Sequence, residues 1–443
     1  MAVAEGSIVQ RFLQRVDDWW LAVAGVVFII GSDFKYRTRA PGRALAGDLD
    51  SAAMLELVLY GAVAAYLLFV RFRPARVRRV PAPLFLAACF IGLAVLSVAY
   101  TPYPKYALVR CIQATILLAV VVVACMDGGR AHFHRFAHLY LLLIAAGVAY
   151  GLMVPSVPIS AAQTGRFTWL AVHPTASGAM ACLAAVVAFA YAISHRMDRP
   201  GPRWRAPVYW ALLAIAAGGG LASHTRGAIL AGLCGVAVVL LASKRGRTAI
   251  EVALVALVLF AGVAIAANKD ITAYITRGED TAQLSSLNNR TELWSLAFEA
   301  TMDQPLFGNG ITASRGLFYE QIGLGGGHNA VVNVVVELGV VGLLVWLALI
   351  LTLVVGVHQL PRNGPRNLVL DRAILLGVIS FLLVDSIVFE GPGSLANFAS
   401  TWLFMCIGWY VVARRDAWES GSTSLEDAVP VPTETDAPTT VSV

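Results

Sequence analysis

The chain has few charged residues, and no charge-rich stretch of it is long enough to form a soluble domain. Only 14% of its 443 residues are charged, whereas 58% are hydrophobic. A soluble domain usually has roughly 25% charged and roughly 45–50% apolar residues. This composition excludes an ordinary soluble protein. The formal net charge of +6 therefore does not indicate nucleic-acid binding, because no soluble basic domain exists to carry it.

Cysteine is absent from the long hydrophilic segment of the chain, residues 268–327. A disulfide framework and a cysteine-based metal site are therefore excluded there. That segment also lacks an Asp-x-Asp pattern and His/Cys metal spacing, so we expect neither a metal nor another cofactor. The six cysteines all fall inside long apolar runs: Cys89, Cys111, Cys125, Cys182, Cys234 and Cys406.

Long apolar runs are what the sequence has in abundance. Many approach the roughly 20 residues that a membrane-spanning helix needs, and lipid favours helices because it cannot satisfy exposed backbone polar groups. We therefore predict an all-α, polytopic membrane protein with about twelve spans and one large outer loop. The spans lie near residues 19–31, 52–70, 82–100, 107–126, 136–153, 173–194, 207–222, 227–243, 248–267, 328–357, 373–389 and 395–413.

Basic residues predict the orientation of these spans. Arginine and lysine follow the second, sixth, eighth, tenth and twelfth spans, which places both termini in the cytoplasm. Lys35, Arg37, Arg39 and Arg43 argue the other way, and Asp33, Asp48 and Asp50 soften that conflict.

The predicted domain organisation is simple. Residues 1–415 form one transmembrane domain, which includes an outer loop over 268–327, and residues 416–443 form a disordered cytoplasmic tail. Within the loop, Arg290 to Thr301 is predicted to be a helix at the membrane interface, with Leu293, Trp294, Ala297 and Phe298 on one side.

His328 opens the tenth span directly after a glycine run. On a continuous helix, Gly339 and Gly342 lie within about 40° of it, so we expect a face of small residues that a neighbouring helix approaches closely. Its near-neutral pKa suits a histidine at this position to act as a base. The alternative is a histidine that only caps the helix and meets water.

Arginines recur in the segments that this topology places outside. Arg166, Arg226 and Arg290 lie in three such segments, and guanidinium groups bind phosphate in a bidentate manner. Together they would suit a diphosphate held at the membrane surface, with snorkelling toward lipid headgroups as the alternative reading of each one.

Several other polar residues are weaker candidates. His224 and His173 lie beside motif residues and are second-tier site candidates, as is Asn329, which follows His328. Glu337 and Asp385 are carboxylates inside predicted spans, where ionisable groups are functional by default, although each can also be a packing partner.

These motifs carry a family resemblance. His328-Asn329, nine residues, Gly339, two residues and Gly342 match the signature of the bacterial O-antigen ligases. Over roughly residues 80–410 the chain resembles the O-antigen ligase/polymerase superfamily. The further matching segments are Gly165-Arg166 with His173-Pro174, Ser223 to Gly227, Asn289 to Trp294, and Asp303 to Gly310.

The resemblance implies a metal-independent glycosyltransferase that acts on the outer face of the cytoplasmic membrane. Its donor would be a glycan on a polyprenyl (undecaprenyl) diphosphate, its acceptor a lipid- or glycan-linked sugar, and its transfer inverting, with no nucleic-acid partner and a monomeric chain among membrane lipids. Polymerase and ligase remain alternatives within the superfamily. A polysaccharide-related transporter and a non-catalytic assembly scaffold are the alternatives from other classes.

Overall fold

Helices account for most of the residues that the structure describes. The computed structural model describes residues 8–34, 50–71, 80–127, 129–155, 165–170, 172–196, 205–243, 290–323, 325–362 and 365–426. None of these residues lies in a strand. The predicted all-α class is therefore confirmed for the described part of the chain.

Thirteen helices are found within these ranges, together with a short 3₁₀ turn at Gly391–Gly393. One π-helical turn, Leu67–Arg71, continues the second of them. The helices are α1 Ile8–Asp33, α2 Ser51–Tyr66, α3 Ala82–Ser97, α4 Pro104–Asp127, α5 Arg130–Met153, α6 Pro174–Arg196, α7 Arg205–Ala222, α8 Arg226–Ser243, α9 Arg290–Asp303, α10 Ala313–Ile322, α11 Ala330–His358, α12 Arg366–Asp385 and α13 Phe398–Glu426.

Seven of the described helices are long and apolar enough to cross a membrane, namely α2 with its π turn, α4, α5, α6, α8, α11 and α12. Helices α3 and α7 are apolar but shorter. The protein is thus a multi-pass membrane protein, but the predicted count of twelve spans is not confirmed. The span predicted over 248–267 lies outside the described residues.

The last helix is longer than the predicted span at that position. Helix α13 continues to Glu426, past Asp416, where the predicted disordered tail begins. Residues 427–443 lie outside the described part of the chain.

One end of the bundle gathers the segments that the sequence analysis singled out. The Thr225 hydroxyl, just before α8, donates to the Pro174 carbonyl oxygen at the start of α6, 3.1 Å away. The Ala330 N–H, at the start of α11, donates to the Ser386 carbonyl oxygen, just after α12, at 2.9 Å. We call this end, where α6, α8 and α11 begin and α12 ends, the site end.

Ion pairs fix the opposite end of the bundle. Asp371 near the start of α12 is fully buried, accepts from Arg130 at 2.9 Å, and has its Oδ1 2.8 Å from Nε2 of His134. Arg130 also contacts Asp416 on α13 at 2.6 Å. A buried carboxylate needs such partners, so this network joins α5, α12 and α13.

Small residues bring α8 and α12 into close contact. A Cβ atom added at Gly235 would lie 2.9 Å from the Gly377 carbonyl oxygen, and one added at Gly377 would lie 3.2 Å from the Gly235 carbonyl oxygen. Without a hydrophobic driving force between helices in lipid, such close backbone approach supplies packing energy.

Helix α9 confirms the helix predicted over Arg290 to Thr301. Its apolar residues are divided between a buried side and an exposed side. Leu293 and Ala297 are buried against Phe318 of α10 and Val336 of α11. Trp294 is 36% exposed and Phe298 is 66% exposed. One side of α9 therefore packs on the protein, and an apolar strip remains on the other side.

Candidate functional site

His328 lies in the turn that leads into α11. Its backbone φ of +47° is uncommon for a residue with a side chain. Such a conformation costs about 1–3 kcal/mol and persists where surrounding contacts enforce it. Asn329 supplies them. Its side-chain oxygen accepts from the N–H groups of Val331 and Val332 at 2.8 and 3.1 Å, and its Nδ2 donates to the Ile387 carbonyl oxygen at 3.1 Å. Asn329 therefore caps α11 and fixes the histidine turn.

Helix α11 breaks at Gly339. This residue has φ +65° and ψ −166°, a region essentially restricted to glycine. A Cβ atom there would lie 2.3 Å from the Leu306 carbonyl oxygen. The predicted continuous face from His328 through Gly339 and Gly342 is therefore wrong, because the helical repeat is interrupted between them. The group that approaches Gly339 is the backbone of a loop, not a neighbouring helix.

The loop in question belongs to the Asp303 to Gly310 segment. A break in a spanning helix frees backbone groups that lipid cannot satisfy, and this segment satisfies four of them. The hydrogen bonds run from the Val340 N–H to the Pro305 oxygen (2.9 Å), from the Val341 N–H to the Leu306 oxygen (3.2 Å), from the Asn309 N–H to the Val336 oxygen (2.9 Å) and from the Gly310 N–H to the Glu337 oxygen (2.9 Å). The motif segment thus completes α11 from outside the helix.

Arg166 ties two turns of the site end together. Its Nε donates to the Ser223 carbonyl oxygen at 2.9 Å, and one terminal nitrogen donates to the hydroxyls of Thr225 at 3.1 Å and Thr175 at 3.5 Å. The side chain is half-buried. Its planar fork bridges the segment before α6 to the α7–α8 turn, which an ammonium group could not do in the same way.

Arg226 is the first residue of α8, and its helix start packs against the segment that anchors the histidine turn. A Cβ atom at Gly227 would lie 2.2 Å from Cγ2 of Val388. Ile387, next to Val388, is the residue to which Asn329 donates. The Arg226 and His328 turns thus contact the same short stretch of chain.

His173 shows that the arginine and histidine segments meet. Its pKa is lowered to about 4, because surrounding protein desolvates the imidazole and because Arg166 and His328 lie close enough to repel a proton. The side chain is exposed at the surface, and its Nδ1 accepts from the Thr175 N–H at 3.2 Å. His173 is therefore neutral near pH 7, with Arg166 and His328 as electrostatic neighbours.

Two other candidate residues also lie at the site end of the bundle. His224 lies in the α7–α8 turn with a φ of +53°, and its N–H donates to the Leu221 carbonyl oxygen at 3.0 Å. Arg290 begins α9, but its side chain lies outside what the structure describes. The structure therefore brings Arg166, His173 and His328 together and does not test the contribution of Arg290.

Glu337 belongs to a buried polar network. The Ser314 hydroxyl on α10 lies 2.5 Å from its Oε1 and 2.7 Å from Oδ1 of Asn333. Asn333 also donates to the Ser394 hydroxyl at 3.1 Å. These bonds join α10, α11 and the segment after the 3₁₀ turn, so the geometry favours the packing-partner alternative for Glu337.

Asp385, the other intramembrane carboxylate, ends α12 and is 1% exposed. Its Oδ2 has no hydrogen-bond partner among the described residues.

One ion pair at the site end was not predicted from the sequence. Arg315 on α10 donates to Oε1 of Glu390 at 3.2 Å and to the Tyr106 hydroxyl at 3.2 Å. Glu390 reaches the glycine run before His328, because a Cβ at Gly326 would lie 2.0 Å from its Oε2. The signal was an arginine and a glutamate in segments predicted to be outside, but 75 residues separate them and no motif joins them.

In the described ranges, no three His, Cys, Asp or Glu side chains come together in a way that could hold a metal ion. The cations that the described site end offers are guanidinium groups.

Part of the chain matches a known family model. Residues 211–347, from α7 into α11, match the family model described as "O-Antigen ligase". No curated protein matches the chain. A solved chain described as "Structural coordination of polymerization and crosslinking by a peptidoglycan synthase complex" is similar at 18% sequence identity and a TM-score of 0.44, covering 76% of this chain and 98% of that one.

Proposed function

We propose that this chain, which carries an O-antigen ligase domain match over residues 211–347, transfers a glycan from a polyprenyl diphosphate to a sugar hydroxyl. One arrangement carries the proposal: Thr175 contacts both Arg166 and His173, His328 lies within electrostatic range of His173, and the Arg226 helix start packs on the segment that anchors the histidine turn. A base and several guanidinium groups are what displacement of a diphosphate by a hydroxyl requires.

His328 would act as the general base. The acceptor hydroxyl oxygen attacks the anomeric carbon of the donor sugar while its proton passes to a ring nitrogen of His328. The new carbon–oxygen bond forms as the bond from that carbon to the diphosphate oxygen breaks, and the electron pair leaves with the diphosphate. A single displacement inverts the anomeric centre. The proton on His328 then returns to solvent.

The arginines would hold the leaving group. Arg226, at the first turn of α8, adds its charge to the positive end of a helix dipole, which favours an anion there. Arg166 contributes positive charge beside His173 while its guanidinium also holds the two turns together. His173 is neutral near pH 7 and adds no charge of its own to this field. Arg290, at the start of α9, is the third member that the motifs propose. No metal is required if guanidinium groups stabilise the diphosphate.

The sequence pattern, in which basic residues follow five of the predicted spans, supports an outward-facing site in the cytoplasmic membrane. Arg130, Arg135, Arg414 and Arg415 all lie at the end of the bundle opposite His328. Because cytoplasmic ends of spans carry excess basic residues, that end is assigned to the cytoplasm. Ser295→Cys on α9 should then react with an impermeant thiol reagent in intact cells, once any outer barrier is permeabilised. Glu419→Cys on α13 should react only after the inner membrane is broken, and the reverse pattern would invert the topology.

A deletion strain tests the function itself. Loss of a ligase should leave long glycan chains on the lipid diphosphate, and loss of a polymerase should leave single repeats. Both should be reversed by the wild-type gene and not by His328→Ala. Unchanged lipid-linked and surface glycans would exclude the transferase and favour a transporter or scaffold.

A further inference from the structure

We infer that Glu390 and Arg315 form a binding subsite for hydroxyl groups of the acceptor glycan, beside the His328 turn. This inference rests on the proposed function and adds to it a location for the acceptor. It places the acceptor at the flank formed by α4 and α10, whereas Arg166 and His173 lie at the flank formed by α6 and the α7–α8 turn.

A carboxylate oxygen of Glu390 that lacks a partner among the described residues is the first support for the subsite. The side chain of Glu390 is 9% exposed. Its Oε1 accepts from Arg315, but its Oε2 is buried and has no hydrogen-bond partner among the described residues. Leaving a buried charged acceptor unpaired is costly, and native structures rarely do so without a reason. A hydroxyl donor from a ligand would satisfy it.

The position of Glu390 beside the glycine run also supports the subsite. Oε2 of Glu390 lies against the backbone of Gly326, two residues before His328, where any larger residue would collide with it. The same segment of chain holds the other side of the histidine turn, because the Ser386 carbonyl oxygen accepts from the Ala330 N–H at 2.9 Å. A hydroxyl bound to Glu390 would therefore belong to a molecule that also reaches His328.

The opposite charges of Arg315 and Glu390 support the subsite as well. Arg315 is 43% exposed, so its guanidinium can meet a ligand while Tyr106 and Glu390 orient it. Beneath it, Arg110 packs over the Tyr106 ring at 5.2 Å and pairs with Glu56 at 3.3 Å. A carboxylate beside a guanidinium offers both an acceptor and donors, which suits a polyhydroxylated sugar. The same carboxylate would repel a diphosphate, so the donor's leaving group belongs to the other flank.

Glu390→Gln tests the subsite, because it keeps the size of the side chain and removes the charge. The probes are two glycolipid fractions purified from the deletion strain, the lipid-diphosphate donor and the unmodified acceptor. A hydrogen bond to a charged group carries enough energy that its loss changes binding about 10- to 100-fold. We expect KM for the acceptor to rise by that factor, with KM for the donor unchanged and kcat within about threefold.

Glu320→Gln is the matched control. Glu320 also lies on α10 but accepts from the Tyr103 hydroxyl at 2.7 Å, so the kinetic constants of this variant should equal those of wild type. Arg315→Gln should raise KM for the acceptor, as Glu390→Gln does.

A structural role alone predicts lower thermal stability with no selective change in KM. An unchanged KM for the acceptor in Glu390→Gln, or equal changes for donor and acceptor, would overturn the inference. If the wild-type protein transfers no glycan from the donor fraction to the acceptor fraction, the result contradicts the proposed function itself, and the subsite that rests on it fails with it.

Discussion

The Val340 N–H, one residue past the break in α11, donates to the Pro305 carbonyl oxygen at 2.9 Å. This bond and its three neighbours mean that the Asp303 to Gly310 segment is a structural part of the spanning helix. Non-helical backbone at membrane depth is tolerated only where protein or a water-filled cavity satisfies it. The motif glycines therefore have a physical role that does not involve substrate.

Gly339→Ala should destabilise the protein. The backbone conformation is nearly exclusive to glycine and the new Cβ would overlap the Leu306 carbonyl group, which together cost about 3 kcal/mol or more. We expect a lower melting temperature in detergent and less protein in the membrane. Gly92→Ala is the control, since nothing lies within 4 Å of the added atom on α3. Equal stability of the two variants would mean that the break is not needed.

Arg226→Lys should abolish most of the activity without loss of protein. Lysine keeps the positive charge at the start of α8 but loses the fork that binds phosphate oxygens in pairs. We expect strongly reduced transfer, near-normal membrane levels and a raised KM for the donor, measured by glycolipid transfer in detergent. If Arg226→Ala and Arg290→Ala both retain wild-type activity, the diphosphate is held elsewhere.

Composition and charge were sufficient to predict the class of the fold. Most apolar runs form the predicted helices, because a window of about 20 apolar residues has few other stable structures in lipid. The break at Gly339 could not be predicted in the same way. A glycine inside an apolar helix is compatible with continuous geometry, and only the tertiary contact with Leu306 shows that the backbone turns there.

Local motifs predicted part of the candidate site. Arg166, His173 and His328 lie in segments with recognisable spacing, and the structure brings these three together. Glu390 and Arg315 lie in segments with no such spacing, and their pairing depends on how α10 packs near the end of α12. A contact of that kind is set by tertiary structure rather than by sequence neighbours.

Acid pH should destabilise the site end through His173. Its folded-state pKa of about 4 lies below the value of about 6.5 in an unfolded chain, so between these values the unfolded state binds more protons. Stability is fully present above pH 6.5 and is lost as the pH falls toward 4. We expect the melting temperature to fall across that window, and less so in His173→Asn, whose amide can accept from Thr175 without titrating. The same pH dependence in both proteins would assign it to other groups.

Chelation should leave transfer unchanged. The proposal relies on guanidinium groups to stabilise the diphosphate, so EDTA added to purified protein is expected to have no effect on rate. Loss of activity that Mg²⁺ or Mn²⁺ restores would contradict the arginine-only account of the leaving group.

His328 is the residue on which the base assignment depends. General-base assistance is worth about 10²–10⁴ in rate, so His328→Ala should reduce kcat by a factor in that range. Donor binding should persist, because the arginines hold the diphosphate. Folding should change little, because Asn329 still caps α11 and still donates to Ile387. Alanine, like histidine, is strained at the φ of +47° found here, so the alanine variant has a backbone cost similar to that of wild type.

His328→Gln separates a base from a residue that only orients the acceptor. Glutamine can hydrogen-bond to a hydroxyl but cannot take its proton near pH 7, so a base role predicts that Gln is nearly as inactive as Ala. An orienting role predicts that Gln recovers much of what Ala loses. Donor affinity and transfer rate measured for both variants decide between them. A His328→Gln protein with a near-normal rate would end the base assignment, while the arginines could still bind the diphosphate.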